Sequence, residues 1–307
     1  MADQPRNILV IKLGALGDFI QAMGPMAAIR GKHAGDRITL MTTAPYEAMG
    51  RACGYFDDVI LDKKPKWTDL KGWINLRRML NAGNFSRVYD LQNNDRTSFY
   101  LRLFSPRPEW VGAAKGASHR NASPERSIGR AFDGHVMTLG LAGIDNVQVD
   151  PLSWMKAAAL PEGLRAPYVL IVPGSAPSHP EKRWPAEYYA ALCTKLLQGG
   201  YQPVLIGAKA EQAVLQEIEN SADGVLNLCG QTALTDIPAL ALHAHAAIGN
   251  DTGPMHLIAP TGCKTIVLFS GKTNPKKHAP LGTNVSTLQV NDLADLSVDN
   301  VWDAFSA

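Results

Sequence analysis

Residues 8–11 read Ile-Leu-Val-Ile and residues 168–172 read Tyr-Val-Leu-Ile-Val, and these two stretches are the main evidence for the fold class. Each is a short hydrophobic run that ends at a loop containing glycine, with a helical pattern after it. Further short apolar runs, separated by helical patterns, follow at Arg37–Met41, Val59–Leu61, Val88–Leu91, Pro203–Ile206, Val225–Leu228, Ala246–Ile248 and Thr265–Phe269. Strands that alternate with helices in this way form β-α-β units, so we predict an α/β protein built on parallel sheets.

The pattern stops and restarts once, which predicts two domains. It weakens between Asn93 and Arg130, and a segment with prolines at 151, 161 and 167 precedes the second half. We predict a Rossmann-like N-terminal domain over residues 1–155, a Rossmann-like C-terminal domain over residues 156–290 and a closing helix over residues 291–307. We expect both domains to be doubly wound and to face a central cleft, because such sheets bind ligands beyond the carboxyl ends of their strands.

Composition excludes some classes of function. The net charge is +2, whereas a protein that binds nucleic acid through its overall charge carries a strongly basic face. The four cysteines lie far apart with no Cys-x-x-Cys pair, which is typical of buried thiols in a reducing compartment. Lys12 interrupts the first apolar run, and no run approaches the ~20 apolar residues of a membrane helix. We therefore expect a cytoplasmic protein that does not bind nucleic acid.

The loop after the first strand carries Gly14, Gly17 and Asp18. The two glycines allow a tight turn from strand to helix. The loop lacks both the Gly-x-Gly-x-x-Gly pattern of dinucleotide sites and the Lys-Ser/Thr that ends a P-loop. Asp18 has two compatible interpretations: it caps the following helix, Phe19–Arg30, or it acts as a general base for a hydroxyl, since a helix start favours negative charge.

The loop at residues 173–185 is long for a compact domain, which favours a functional role over a solvated connection. Gly174 and Ser175 offer N–H groups and a hydroxyl, and Lys182 with Arg183 offers positive charge. Together these groups could bind a diphosphate.

A third loop reads Asn250-Asp251-Thr252-Gly253-Pro254 and opens a helix that carries His256. Thr252 can cap this helix, and it shares one helix face with His256, four residues on. Because the N–H groups at a helix start attract anions, the loop is either an anion site or an ordinary capped helix. An aspartic protease is excluded, since that site needs two Asp-Thr-Gly triplets and the chain has one.

Weaker signals lie elsewhere. Glu211 follows a predicted strand and either binds ribose hydroxyls or is an acid of the first helical turn. Basic residues accumulate between Arg96 and Arg130, where they either meet an anionic ligand or belong to a solvated loop. Others flank an apolar stripe, which either packs on the protein's own sheet or lies on a membrane surface. The stripe consists of Trp67, Leu70, Trp73, Ile74 and Leu80.

The motifs occur in the order found in a known family. The chain contains Gly-Ala-Leu-Gly-Asp18, then Pro173-Gly174-Ser175 with Lys182-Arg183-Trp184-Pro185, then Gly207-x-x-x-Glu211, and finally Asn250-Asp251-Thr252-Gly253-x-x-His256. In this order they resemble glycosyltransferase family 9, the lipopolysaccharide heptosyltransferases. The resemblance implies a GT-B fold, ADP-heptose as donor substrate, no cofactor, and an inverting transfer without a metal ion. The sequence has no Asp-x-Asp triplet, the metal-binding motif of many single-domain sugar transferases, which also favours a metal-free reaction.

The resemblance implies roles for individual residues. Asp18 is the catalytic base, and Lys182 assists catalysis by contacting the donor phosphates. The donor site comprises Gly14, Gly17, Ser175, Lys182, Glu211, Asp251, Thr252, Gly253 and His256. To the acceptor, a lipid-linked anionic saccharide, we assign the basic residues Lys63, Lys64, Arg120 and Arg126. No residue is assigned to a metal.

The resemblance places the protein in the cytoplasm, either free or in peripheral contact with the cytoplasmic face of the inner membrane. One alternative is a GT-B enzyme that uses another nucleotide sugar or a protein acceptor. A nucleotide-sugar binder without turnover is disfavoured because Asp18 and Lys182 are both present. An NAD-dependent oxidoreductase is disfavoured because the dinucleotide pattern is missing.

Overall fold

A computed structural model describes residues 5–155, 160–176 and 178–307. The chain divides into two compact units, Met1–Asp150 (unit 1) and Pro151–Ala307 (unit 2). The predicted boundary at 155/156 borders residues 156–159, which lie outside the described residues, as does Pro177 in the predicted diphosphate loop. The predicted closing segment, 291–307, belongs to unit 2.

Unit 1 holds a six-stranded parallel sheet. Its strands are β1 (Asn7–Ile11), β2 (Arg37–Thr42), β3 (Asp58–Leu61), β4 (Arg87–Asp90), β5 (Glu109–Gly112) and β6 (His119–Arg120). Its helices are α1 (Leu16–Gln21), α2 (Met23–Lys32), α3 (Glu47–Ala52), α4 (Leu70–Ala82), α5 (Asp95–Tyr100) and α6 (Ala131–Gly140). The strands lie in the order β3-β2-β1-β4-β5-β6.

Unit 2 repeats this architecture. Its strands are β7 (Tyr168–Val172), β8 (Gln202–Leu205), β9 (Leu226–Asn227), β10 (Ala246–Asn250), β11 (Thr265–Ser270) and β12 (Val285–Val290). Its helices are α7 (Ala186–Gln198), α8 (Gln212–Asn220), α9 (Asp236–Ala241), α10 (Gly253–Ile258), α11 (Pro275–His278) and α12 (Val298–Ser306). The strands lie in the order β12-β11-β10-β7-β8-β9. If β7 is numbered as the first strand and the sheet is followed from β9 to β12, this is the same 3-2-1-4-5-6 order as in unit 1. This order is that of doubly wound nucleotide-binding folds, so the predicted α/β class with two Rossmann-like domains is confirmed.

Burial of the central strands explains why the fold could be predicted from the sequence. Residues 8–11 of β1 have no exposed surface, and all five residues of β7 are buried. A parallel strand covered on both faces needs apolar side chains in every position, which produces the continuous runs at 8–11 and 168–172.

Some elements differ from the predictions. The single helix predicted at Phe19–Arg30 is two helices, because the N–H of Ala22 bonds the carbonyl of Phe19 three residues back, and this tighter turn ends α1. Strands β5, β6 and β12 were not predicted. The first two have only four and two residues, and β12 is an edge strand with several exposed side chains.

Across residues 5–155, 160–176 and 178–307, we find no helix with the length and apolar character needed to cross a bilayer.

Candidate active site

The strand order reverses at one point in each sheet, between β1 and β4 in unit 1 and between β7 and β10 in unit 2. Ligands of doubly wound sheets bind beyond the carboxyl ends of the strands at this switch point. The three loops singled out from the sequence all begin there: one follows β1, one follows β7 and one follows β10.

In unit 2, Lys182 and Asp251 form an ion pair at the switch point. The Lys182 Nζ atom lies 2.6 Å from Asp251 Oδ2, although the two residues are 69 positions apart in the chain. Asp251 is almost fully buried, whereas the Lys182 side chain keeps 21% of its surface exposed. The pair joins the loops after β7 and β10 and presents a lysine that a solvent-borne anion can reach.

Asn250 links these two loops by hydrogen bonds. Its Oδ1 accepts hydrogen bonds from the N–H of Trp184 (3.1 Å) and the hydroxyl of Tyr189 (2.9 Å), and its Nδ2 donates to the carbonyl of Pro173 (2.7 Å). Asn250 is fully buried. The sequence prediction gave it no role; the available signal was an amide at the end of an otherwise apolar strand.

Ser175 and Arg183 bond to each other within the loop. Arg183 Nε donates to Ser175 Oγ (3.0 Å), and that hydroxyl donates to the carbonyl of His179 (2.9 Å). Both groups therefore stabilise the conformation of the loop, whereas we predicted that the Arg183 charge and the Ser175 hydroxyl bind a ligand. Their contact with a donor stays a prediction.

Glu211 lies against the same loop. Its Oε2 accepts a hydrogen bond from the N–H of Ala208 (2.8 Å), which confirms the interpretation as an acid of the first turn. A Cβ atom on Gly174 would lie only 1.7 Å from Glu211 Oε1, so the absence of a side chain at Gly174 admits the carboxylate. A contact between Glu211 and a ribose remains a prediction.

Thr252 occupies the N-cap position of α10, as expected, but its side chain makes no capping hydrogen bond. Gly253 and Pro254 form the first turn, and His256 is buried within the helix. Thr252 therefore lies next to Asp251, and its hydroxyl makes no hydrogen bond that caps α10.

In unit 1, Asp18 is exposed and is the third residue of α1. The N-cap position is held by Ala15, and no side chain caps the helix, so the prediction that Asp18 is the cap is wrong. Gly14 has a φ of +121°, and a Cβ atom there would lie 2.7 Å from the Tyr46 ring. Gly14 and Gly17 thus lie in unit 1 with Asp18, whereas the other predicted donor residues lie in unit 2.

Two buried charges lie under the Asp18 loop. Lys12 donates a hydrogen bond from Nζ to the carbonyl of Leu91 (3.1 Å), and burial lowers its pKa to about 8 against the opposing effect of Asp18 and Asp90. Asp90 accepts from the N–H groups of Gln92 and Asn93, and burial raises its pKa to about 6. Sequence analysis gave neither residue a role; the signal was a charged residue at the end of each of two apolar strands.

The predicted acceptor residues do not form one cluster. Lys63 and Lys64 follow β3 and are exposed, whereas Arg120 is on β6 and Arg126 lies in the short turn after it. β3 and β6 are the two edges of the sheet, roughly 24 Å apart at the usual ~4.8 Å strand spacing. The two pairs of basic residues could bind only separate parts of a large ligand.

The apolar stripe divides between two environments. Leu80 is buried and Trp73 is half-buried, as packing on the sheet requires. Trp67, Leu70 and Ile74 are 60%, 75% and 52% exposed, so for them that interpretation is wrong.

Comparison with known proteins places the chain in a family. The profile of glycosyltransferase family 9 (heptosyltransferase) matches residues 73–299, about three-quarters of the chain. Lipooligosaccharide heptosyltransferase 2 of Haemophilus ducreyi is 33% identical over 132 residues, which cover 41% of this chain and 38% of that relative. The chain thus aligns with well under half the length of this relative.

Solved structures agree on the fold. A family 9 glycosyl transferase from Veillonella parvula superposes with a TM-score of 0.82 at 21% identity, over 98% of this chain and 96% of that one. The E. coli heptosyltransferase WaaC with ADP-2-deoxy-2-fluoro heptose superposes with a TM-score of 0.77 at 18% identity, over 98% and 99%. At such identities the likeness shows the fold alone, and the profile match supplies the family. The chain belongs to glycosyltransferase family 9, the heptosyltransferases.

Proposed function

We propose that this protein transfers heptose from ADP-heptose to a hydroxyl of a lipopolysaccharide core acceptor, with inversion at the anomeric carbon and without a metal ion. The observation that supports this most is the Lys182–Asp251 pair at the switch point of unit 2. It presents a lysine where nucleotides bind in this fold.

The donor diphosphate would bind at this pair. A diphosphate near Lys182 would share the ammonium group with Asp251, since that group has three N–H donors, and the Thr252 hydroxyl would add a hydrogen bond. Charge-assisted bonds of this kind are about twice as strong as neutral ones. Glu211, which lies against Gly174 of the Lys182 loop, would accept hydrogen bonds from ribose hydroxyls.

Asp18 would act as the base. The acceptor hydroxyl gives its proton to the Asp18 carboxylate while its oxygen bonds to the anomeric carbon. The bond from that carbon to the diphosphate breaks on the opposite face, and ADP leaves with its charge balanced by Lys182. Asp251 and Glu211 are poor alternatives as base because their carboxylates pair with Lys182 and with the N–H of Ala208.

The acceptor would be a lipid-linked anionic saccharide, met by Lys63 and Lys64 at one edge of the unit 1 sheet and by Arg120 and Arg126 at the other. Such an acceptor implies an enzyme that works in the cytoplasm, at the cytoplasmic face of the inner membrane. Neither a cofactor nor a nucleic acid takes part in this proposal.

The test is calorimetry of ADP and UDP binding in chelator, followed by a transfer assay with ADP-heptose. We expect ADP to bind without metal and Lys182→Ala to weaken that binding about 10–150-fold, the value of a lost charge-assisted bond of roughly 1.5–3 kcal/mol. The matched control is Lys195→Ala, which removes a lysine paired with Asp299 elsewhere in unit 2. If ADP binds only after magnesium is added, the metal-free proposal is wrong. Preference for UDP, or no consumption of ADP-heptose, would instead favour another nucleotide sugar.

A further inference from the structure

Three large apolar side chains are exposed in and just before the first turns of α4 on unit 1. Trp67, Leu70 and Ile74 keep 60%, 75% and 52% of their surface in solvent, and we call them the α4 face. Leu70 and Ile74 are four residues apart on α4, so they lie on the same side of the helix. Single exposed apolar residues are common, but a contiguous group with basic residues around it marks an interaction surface.

Trp67 of the α4 face packs against neighbouring aromatic and basic side chains. The Trp67 ring stacks on that of Trp73 at 5.0 Å and meets Phe99 edge-on at 5.5 Å. Arg96 Cζ lies 5.3 Å from the Trp67 ring centre, and Trp73 Nε1 donates to the carbonyl of Lys66 (3.0 Å). The structure thus orders a tryptophan in an exposed position, although burial would have been favourable for a side chain of this size.

The charged residues around the α4 face are mostly basic. Residues 63–78 contain six exposed basic residues and one acid, Asp69, whose carboxylate caps α4 by accepting from the N–H of Gly72 (2.8 Å). The basic residues are Lys63, Lys64, Lys66, Lys71, Arg77 and Arg78. Apolar side chains inside a basic rim complement an anionic lipid surface, in which rings and aliphatic groups enter the headgroup region while ammonium and guanidinium groups meet phosphates.

The α4 face begins at the end of the unit 1 sheet that also carries the Asp18 loop. The chain leaves β3 at its carboxyl end, passes Lys63 and enters α4, so the start of α4 lies at the same end of the sheet as the Asp18 loop after β1. We infer that the α4 face docks on an anionic lipid bilayer and so brings this end of unit 1 to the membrane that carries the acceptor. This inference rests on the proposed lipid-linked acceptor.

Vesicle binding tests the inference. We expect the full chain to co-sediment with vesicles of phosphatidylcholine and phosphatidylglycerol, weakly with phosphatidylcholine alone, and less at high salt. The double variant Leu70→Gln and Ile74→Gln keeps good helix formers on α4 and should lower the partition coefficient about 10-fold or more. The control is Leu141→Gln with Leu242→Gln, which removes two leucines of about half exposure elsewhere and should bind like the wild type. Equal binding of both double variants would overturn the inference.

Two further readouts separate the possible failures. Transfer to a deacylated acceptor without vesicles should be unchanged in the α4 double variant, whereas transfer to a vesicle-borne acceptor should fall with the partition coefficient. If the wild type transfers to neither acceptor, the proposed function fails while the vesicle result still stands. If sedimentation without lipid shows a dimer that the double variant dissociates, a second copy of the chain covers this face and the inference is wrong.

Discussion

At the residue scale, the proposal depends on Asp18 as the general base. It is exposed, and Ala15 holds the cap position, so its charge is not needed to cap α1. Asp18→Asn should therefore leave stability and ADP affinity near normal while lowering turnover roughly 10²–10⁴-fold, the usual contribution of a positioned base. Asp95→Asn, an exposed acid in the first turn of α5, serves as the control and should keep full activity. Turnover above about a tenth of wild type in Asp18→Asn would exclude it as the base.

Lys12 makes stability depend on pH. Its pKa is 10.5 in an unfolded chain and about 8 when buried, so between these values the unfolded chain holds a proton that the folded protein has lost. The free energy of unfolding of the wild type should then rise with pH in this window, relative to Lys12→Met, by about 1.4 kcal/mol per unit at most. Urea unfolding of both proteins at about pH 8 and about pH 10 should show a gain of about 2 kcal/mol. A constant difference between the two proteins would show that Lys12 does not titrate in this range.

At the scale of elements, prediction succeeded where burial imposes a pattern and failed where it does not. The runs in β1, β7, β10 and β11 were found because helices cover both faces of these strands. Strand β12 was missed because an edge strand keeps exposed side chains and needs no continuous apolar run. The exposure of Leu70 and Ile74 was also undecided, since helical spacing shows which residues share a face but not what that face meets.

At the scale of the whole molecule, the proposal divides the work between two units with the same strand order. If ADP binds unit 2 alone, hydrogen exchange should slow in the loops after β7 and β10 and stay unchanged at residues 14–18. For amides that exchange through unfolding of unit 2, the exchange rate should fall as the ADP concentration rises. At an ADP concentration 100 times the dissociation constant, these amides should exchange roughly 100-fold more slowly. Equal protection at residues 14–18 would contradict this division.

The amino-acid pattern alone predicted the α/β class, the two Rossmann-like halves and the three loops that carry polar groups at strand ends. It could do so because continuous burial and tight turns restrict residue type locally. Which strands are neighbours became known only from the folded chain, and with it the fact that the loops after β7 and β10 meet at one switch point. The Lys182–Asp251 pair, the bonds of Asn250, and the separation of Lys63 from Arg120 all follow from that order. Contacts between residues tens of positions apart depend on packing between elements, and no local pattern encodes them.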